Sequence, residues 1–419
     1  MKKLIQIIIP MIVVLAFSAC ENYVQSVDPL IDQVEDDRLN DPTQLNFLIK
    51  GVKQRFASVW GGQSNASLMG LSLLGGGLAD ELYYDAAAPG SSYPSYQEVD
   101  LAENIQRNNP SVESIFFGLG ELRYFADDLV RRALTINAGD ALENALFTGY
   151  LYGGIARYLY ATYFGLYQDE GGGVINAGPF IPADQMYDDA IDKLKEALNH
   201  TDFDYSDNLV IISKEMAERV VHSLITRCYL FKEDNANAAT HAAMGMIDGD
   251  PPFNALYNAN YTNIWYVFAY QRNQFLVANR FADYITADPN EANRIELQRI
   301  ETSNGAWWQQ ARYLSQDAPI NFMTWQENEL MLAELELSSD NTSALARVNA
   351  VRASHGIDPL AALDSNTLIE ERDKELFLTA VRLPDQRRFD IWHLAPTTWK
   401  YLPITQSEIN GNPNINIGN

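Results

Sequence analysis

Apolar residues recur at helical spacing along most of the chain. Between 183 and 198, Tyr187, Ile191, Leu194 and Leu198 fall three or four residues apart and share one face. Pro182 precedes that stretch, at a position where a missing N–H costs little. Asp184, Asp188 and Asp189 lie toward the N-terminal end, which the helix dipole favours for acids. A second stripe, Ala217, Val220, Leu224, Cys228 and Phe231, runs through 213–231 with Ser213 placed to cap it. Cys228 therefore reads as a core residue. Over 324–355 the pattern predicts a helix hairpin. Thr324 and Glu327 have capping-box spacing, and Leu330, Ala333 and Leu337 follow. A polar break at 338–341 leads to Leu345, Val348, Val351 and His355, with Gly356 suited to the position after the helix end. Thr367 with Glu370 predicts a further helix start. The segment 143–165 is helical and dense in tyrosine, with Tyr150, Tyr152, Tyr158, Tyr160 and Tyr163.

Long irregular stretches separate these helices: 60–100, 165–182 and 250–322. Loops of that length in a compact protein are usually functional. The glycine triplets at 75–77 and 171–173 lack the Lys-Ser/Thr ending of a phosphate loop and read as flexible turns. Paired helices with alternating small and aromatic residues predict an all-α fold built of TPR-like helix hairpins, with a loop-rich irregular face packed on the scaffold.

The N-terminus sets the compartment. Lys2 and Lys3 precede an apolar run from Leu4 to Phe17, and Ser18-Ala19-Cys20 follows. The run is a secretory signal rather than a membrane-spanning helix. Small residues directly before Cys20 resemble a bacterial lipobox, which implies cleavage before Cys20 and lipidation of its thiol and new amine. The expected organisation is a signal peptide over 1–19, a lipidated polar tether over 20–45 and one helical domain over 46–419. Cys228 is the only other cysteine, so with Cys20 lipidated no intramolecular disulfide is possible.

The chain has 419 residues and a formal net charge of −25. Starting at Cys20 it loses two lysines and no acid, so 28 − 55 gives −27. An acidic surface of that size repels a phosphate backbone and an anionic bilayer, so neither nucleic acid nor direct lipid binding is expected. A neutral ligand or a protein partner fits better.

Catalytic and metal motifs are absent from the sequence. The histidines at 200, 222, 241, 355 and 393 show no metal-ligand spacing, and there is no HExxH, GxSxG, P-loop or GxGxxG pattern. No catalytic residue, metal ligand or cofactor is assigned. Acid pairs such as Asp80-Glu81 arise easily in a chain with 55 acids. The aromatic loops carry more information. Trp307 and Trp308 adjoin each other, and Tyr83, Tyr84, Tyr93 and Tyr96 cluster near Asp80 and Glu81. Flat aromatic faces beside amides and carboxylates suit the apolar faces and hydroxyl rims of sugars. These eight residues are the candidate ligand site, and the alternative is that the rings pin loops to the core.

Several segments together resemble the SusD/RagB family of nutrient-binding outer-membrane lipoproteins of Bacteroidetes. Glu327 to Glu334, Ala346 to Arg352, and Glu371 to Phe377 followed by Arg382, Asp385, Arg387, Arg388 and Phe389 match its C-terminal motifs. So do Leu402-Pro403-Ile404, Glu408-Ile409 and Asn412-Pro413-Asn414 near the end. Upstream, Ala79-Asp80-Glu81, Tyr163-Phe164-Gly165 and Tyr187 to Ile191 match further segments. Thr379-Ala380 and Gln386 depart from the pattern. The chain also reads as short for the family, which would place missing length in ligand loops. Arg372, Glu375, Arg382, Asp385 and Arg388 read as a structural ion network rather than an active site.

The resemblance implies a lipid-anchored protein exposed at the outer membrane. It would capture a nutrient, read first as an oligosaccharide, without breaking bonds, and pass it to a SusC-type TonB-dependent transporter. Three rival readings stay open: a binder of peptides or another non-glycan nutrient, a surface glycoside hydrolase, and a structural adhesin subunit.

Overall fold

The structure, a computed structural model, describes residues 36–62, 70–88, 94–136, 139–303, 305–415 and 417. Cys20 and Tyr93, two of the residues singled out above, lie outside them.

The chain opens with α1 (Leu45–Gly61), α2 (Leu71–Leu78), β1 (Leu82–Tyr84) and α3 (Pro94–Leu101). Two long helices follow, α4 (Pro110–Ile136) and α5 (Leu142–Tyr163), then strands β2 (Phe164–Tyr167), β3 (Glu170–Val174) and β4 (Phe180–Pro182). Helices α6 (Ala183–Ala197), α7 (Lys214–Phe231) and α8 (Asn235–Ala242) come next. An irregular middle section holds β5 (Phe253–Ala255), α9 (Ile264–Tyr266), β6 (Phe275–Val277), α10 (Asn279–Ala287), β7 (Leu297–Thr302), β8 (Gly305–Gln310) and β9 (Ile320–Met323). The C-terminal part contains α11 (Trp325–Glu336), α12 (Asn341–Ser354), α13 (Ser365–Glu375), α14 (Arg382–Arg388), β10 (Leu402–Pro403) and α15 (Gln406–Gly411).

The scaffold is a run of antiparallel helix neighbours of the TPR-like kind. Helix α1 packs on α4 and α5, α4 on α5, α5 on α6, α6 on α7, α7 on α8, α8 on α11, and α11 on α12 and α13. The stripes read from the sequence are the packed faces: Tyr187, Ile191 and Leu194 are buried on α6, and Ala217, Val220, Leu224 and Cys228 on α7. Burial pushes the Cys228 thiol up to about 12, so it is inert at neutral pH. The caps of Ser213 and Thr324 form, accepting from the backbone N–H groups of Met216 and Glu327. The start of α13 is capped by Asp364, not by Thr367, whose own N–H and hydroxyl both donate to that carboxylate. Thr367 therefore lies inside the helix.

The tyrosines of α5 are structural. Tyr152, Tyr158 and Tyr163 are at most 4% exposed. They meet Phe56 and Trp60 of α1, together with Phe253 and Phe322, in edge and tilted ring pairs. Within this core Arg227 is fully buried against Glu327, with Nε–Oε1 at 2.8 Å, and its Nη2 donates to the Phe322 carbonyl at 2.7 Å.

Both glycine triplets differ from the sequence expectation. Gly75, Gly76 and Gly77 are buried inside α2, and a Cβ at Gly75 would lie 3.0 Å from the Ala380 Cβ and 3.2 Å from the Tyr163 ring. Ser72 ties the same helix in place, accepting from Trp265 Nε1 at 2.9 Å and donating to the Trp60 carbonyl at 2.7 Å. Gly171–Gly173 lie in β3, and a Cβ at Gly173 would meet the Tyr160 ring at 2.8 Å. Close packing, not flexibility, selects glycine at these positions.

Strands among the described residues form three small sheets, ordered β1-β6-β8-β7, β10-β2-β3-β4 and β5-β9. The first carries most of the aromatic residues singled out above. No helix among the described residues is long and apolar enough to cross a membrane.

Glu327→Gln should destabilise the fold by roughly 3–5 kcal/mol in urea unfolding, because it leaves the buried Arg227 charge uncompensated. Asp202→Ala, which removes an exposed pair to Lys214 at 3.9 Å, should change stability by less than about 0.5 kcal/mol. Equal effects of the two substitutions would contradict this ranking.

Candidate functional site

Register decides which candidate residues can act together. In the antiparallel sheet Leu82 pairs with Val277, Val277 with Trp308, and Trp308 with Arg299. Directly opposed residues share a face, so this row marks one side. Leu82 and Val277 are fully buried there, Trp308 packs against the core, and the Arg299 guanidinium lies 5.4 Å from the Trp308 ring centroid. The neighbouring positions, Tyr83 on β1 and Trp307 on β8, project from the other side. Their ring centroids are 6.4 Å apart at 64°, with Tyr83 42% exposed and Trp307 half-buried. The adjacent tryptophans therefore do not form one platform, because the two-residue period of a strand separates them.

Polar groups adjoin Trp307 on the same side of the sheet. Gln309, two residues along β8, is opposed by Gln298 of β7. Gln298 Nε2 donates to Gln309 Oε1, and Gln309 Nε2 donates to Asn273 Oδ1 and, at 2.6 Å, to the Tyr270 carbonyl. Tyr270 belongs to a π-helical turn, Val267–Gln271, that directly follows α9. Such turns are frequent at functional sites. Trp265, Phe268 and Ala269 anchor this segment in the core, while Tyr266 and Tyr270 stay partly accessible and stack at 5.7 Å. The result is a partly exposed face with two aromatic groups, Tyr83–Trp307 and Tyr266–Tyr270, and the half-buried amides of Gln298 and Asn273, held by the buried Gln309. The amides and the π-helical tyrosines are absent from the sequence-derived candidates. Gln309 directly after the tryptophan pair was the available signal.

The remaining candidates occupy other environments. Tyr96 is 3% exposed and packs on Phe268 and Phe275, and half-buried Tyr84 packs on Tyr96 and Phe275. Tyr84 follows Tyr83 on the strand and turns toward the core, so both rings pin structure. Asp80 and Glu81 are also withdrawn from ligand duty. Asp80 pairs with Arg280 at 3.0 Å and Arg382 at 3.2 Å, and Asp373 pairs with the same two arginines at 2.8 and 3.5 Å. Glu81 is fully buried beside this quartet, and its Oε1 accepts from the Leu378 N–H at 3.0 Å. Burial, reinforced by the Asp373 charge, pushes its carboxyl up to about 8. Two carboxylates already balance the two guanidiniums, so Glu81 is a neutral acid at pH 7.

Of the C-terminal network expected from the sequence, Arg372, Asp385 and Arg388 pair directly, whereas Arg382 joins the Asp80–Asp373 quartet and Glu375 pairs elsewhere. Arg372 pairs with Asp385 at 2.8 Å, Arg388 with Asp385 at 3.0 Å and Glu334 at 2.7 Å, and Glu375 with Arg294 at 3.5 Å and His355 at 3.0 Å. Arg294 and Arg352 converge on Glu291 and Glu371. Every one of these groups has a protein partner, which makes the cluster a brace.

No family model and no curated protein matches the sequence. Solved structures do match along nearly the whole chain. A SusD superfamily protein from Bacteroides thetaiotaomicron superposes with a TM-score of 0.70 at 16% identity, covering 89% of this chain and 98% of that one. The surface glycan-binding protein A of Bacteroides uniformis gives 0.69 at 13%, with the same coverages. A laminarin-binding SusD-like protein gives 0.68 at 13%, again over 89% and 98%. The chain has the SusD-superfamily fold. The likeness covers 98% of each of these three structures.

Glu81 gives the quartet of Asp80, Arg280, Asp373 and Arg382 a pH signature. The folded state holds its proton to about pH 8, whereas the unfolded chain releases it near 4.5. Its contribution to stability is full below the lower value and is lost as pH rises through the upper one. Between pH 5 and 9 the wild-type protein should therefore lose roughly 3–5 kcal/mol relative to Glu81→Gln, which keeps the acceptor for Leu378. Parallel stability profiles of the two proteins in urea would show that Glu81 is ionised throughout.

Proposed function

We propose that the protein captures an oligosaccharide at the cell surface on the Tyr83–Trp307 face and hands it to a SusC-type TonB-dependent transporter. The observation that carries this reading is the pairing of Tyr83 and Trp307 on the outer side of the sheet, with the Gln298–Gln309–Asn273 amides beside them. A pyranose presents an axial C–H face and an equatorial hydroxyl rim. The first suits an aromatic ring and the second suits neutral amides, which can donate and accept without a desolvated charge. The glycan-binding proteins sharing the fold support the same ligand class.

Binding without bond cleavage is part of the proposal. Asp80 and Glu81, the candidate acid pair, are committed to arginines and a backbone N–H, so they do not flank a bound sugar as a glycosidase pair would. Lipidation of Cys20 would hold the acidic chain at the outer membrane through its acyl groups alone.

In calorimetry, Tyr83→Ala/Trp307→Ala should weaken binding of the oligosaccharide found by a glycan screen by about tenfold or more, as expected for two lost stacking contacts. The fold should stay intact, because Tyr83 is exposed and Trp307 half-buried. Full affinity in the double variant would remove this face from the site. Cys20→Ala should release the protein from the membrane fraction and abolish incorporation of labelled palmitate. Continued anchoring of that variant would refute the lipoprotein reading.

A further inference from the structure

A cleft of about 200 Å³ opens between α1, α5 and β5, closed on its remaining sides by residues 208–211 and 256–261. It shares no residue with the Tyr83–Trp307 face. Phe147, Tyr152 and Phe253, each at most 4% exposed, supply ring-lined walls, and Ile211 adds an aliphatic side.

Two polar groups in the lining lack a protein partner among the described residues. Lys53 is half-buried, and no carboxylate among the described residues lies within ion-pair distance of it, although the chain carries 55 acids. Burial lowers its ammonium pKa, with no acid acting to restore it. Asn254 stands where the β5–β9 register shifts, and such irregularities re-aim a side chain. Its Oδ1 is buried and has no hydrogen-bond partner. A cation lacking an anion and a carbonyl lacking a donor thus border one apolar cleft. A buried polar group in that condition calls for a partner.

We propose that this cleft is a second ligand site, specific for a small carboxylic acid with a ring-sized apolar body and a hydroxyl or amide donor close to the carboxylate. The ring sits among Phe147, Tyr152 and Phe253, the carboxylate pairs with the Lys53 ammonium, and the donor bonds to Asn254 Oδ1. Aromatic 2-hydroxy acids and N-acylated aromatic amino acids have this chemistry. A neutral sugar does not, because it would leave the ammonium without a counter-charge. The inference does not depend on the glycan reading.

Calorimetry of the soluble chain with 3-phenyllactate, 3-phenyllactamide and 3-phenylpropionate tests it. The hydroxy acid should bind tightest. The amide, which lacks the charge, should bind about tenfold more weakly, and the acid lacking the hydroxyl should fall between them. Lys53→Met should bring 3-phenyllactate down to the level of the amide while leaving the amide unaffected. Tyr83→Ala/Trp307→Ala should leave all three unchanged, which separates failure here from failure of the glycan site. The proposal is overturned by the absence of saturable binding up to about 10 mM, or by equal affinities for acid and amide. Undiminished binding to a folded Lys53→Met protein would also overturn it. Should that variant not fold, the acid–amide comparison in the wild-type protein decides alone.

Discussion

The Tyr83–Trp307 face depends on Asp373. Its carboxylate receives Arg280 from the first turn of α10, Arg382 from α14 and the hydroxyl of Tyr284. Asp80 completes the quartet from the residues just before β1. Arg280 lies three residues past the end of β6, and the Ala278 N–H donates to the Glu81 carbonyl. One ion cluster therefore fastens β1 and β6 at the same end to the C-terminal helices. Buried ion clusters add little net stability, but removing one member is costly, so they fix geometry. Here the geometry fixed is the position of Tyr83 relative to Trp307, between residues more than two hundred positions apart in sequence.

The same logic runs through the C-terminal third. Arg372, Arg388, Arg294 and Arg352 each engage two or more carboxylates from different elements. The helical array and the irregular section thus share one core, while a layer of bidentate pairs sets their mutual placement. No disulfide is needed, and the free thiol of Cys228 is sealed inside.

Helix stripes such as Tyr187–Ile191–Leu194 were legible because a packed helix repeats its signal over several turns. The C-terminal arginines were legible as structure because their density exceeds what a solvated surface needs. The irregular section was harder to read. Its strands are three to six residues long, too short for alternation to show, and their pairing joins positions near 83, 276 and 308. Trp307 and Tyr83 could therefore be singled out by residue type, but the separation of Trp308 and Tyr84 from them needed the register. The glycine triplets misled for a related reason. Composition alone cannot distinguish a glycine chosen for flexibility from one chosen to admit a neighbouring ring. Glu81 looked available as a ligand group because acidity is visible in sequence and burial is not.

The outer side of the sheet and the cleft beside α1 differ in chemistry. The first combines partly exposed rings with neutral amides and suits a neutral, hydroxyl-rich chain. The second encloses rings beside an uncompensated cation. A crystal structure of the protein with the oligosaccharide selected by a glycan screen tests the central claim most directly. The account predicts a sugar ring stacked on Trp307 or Tyr83, with hydroxyls in hydrogen-bond range of Gln298 or Asn273. Sugar density confined to any other surface, with these rings bare, would contradict it.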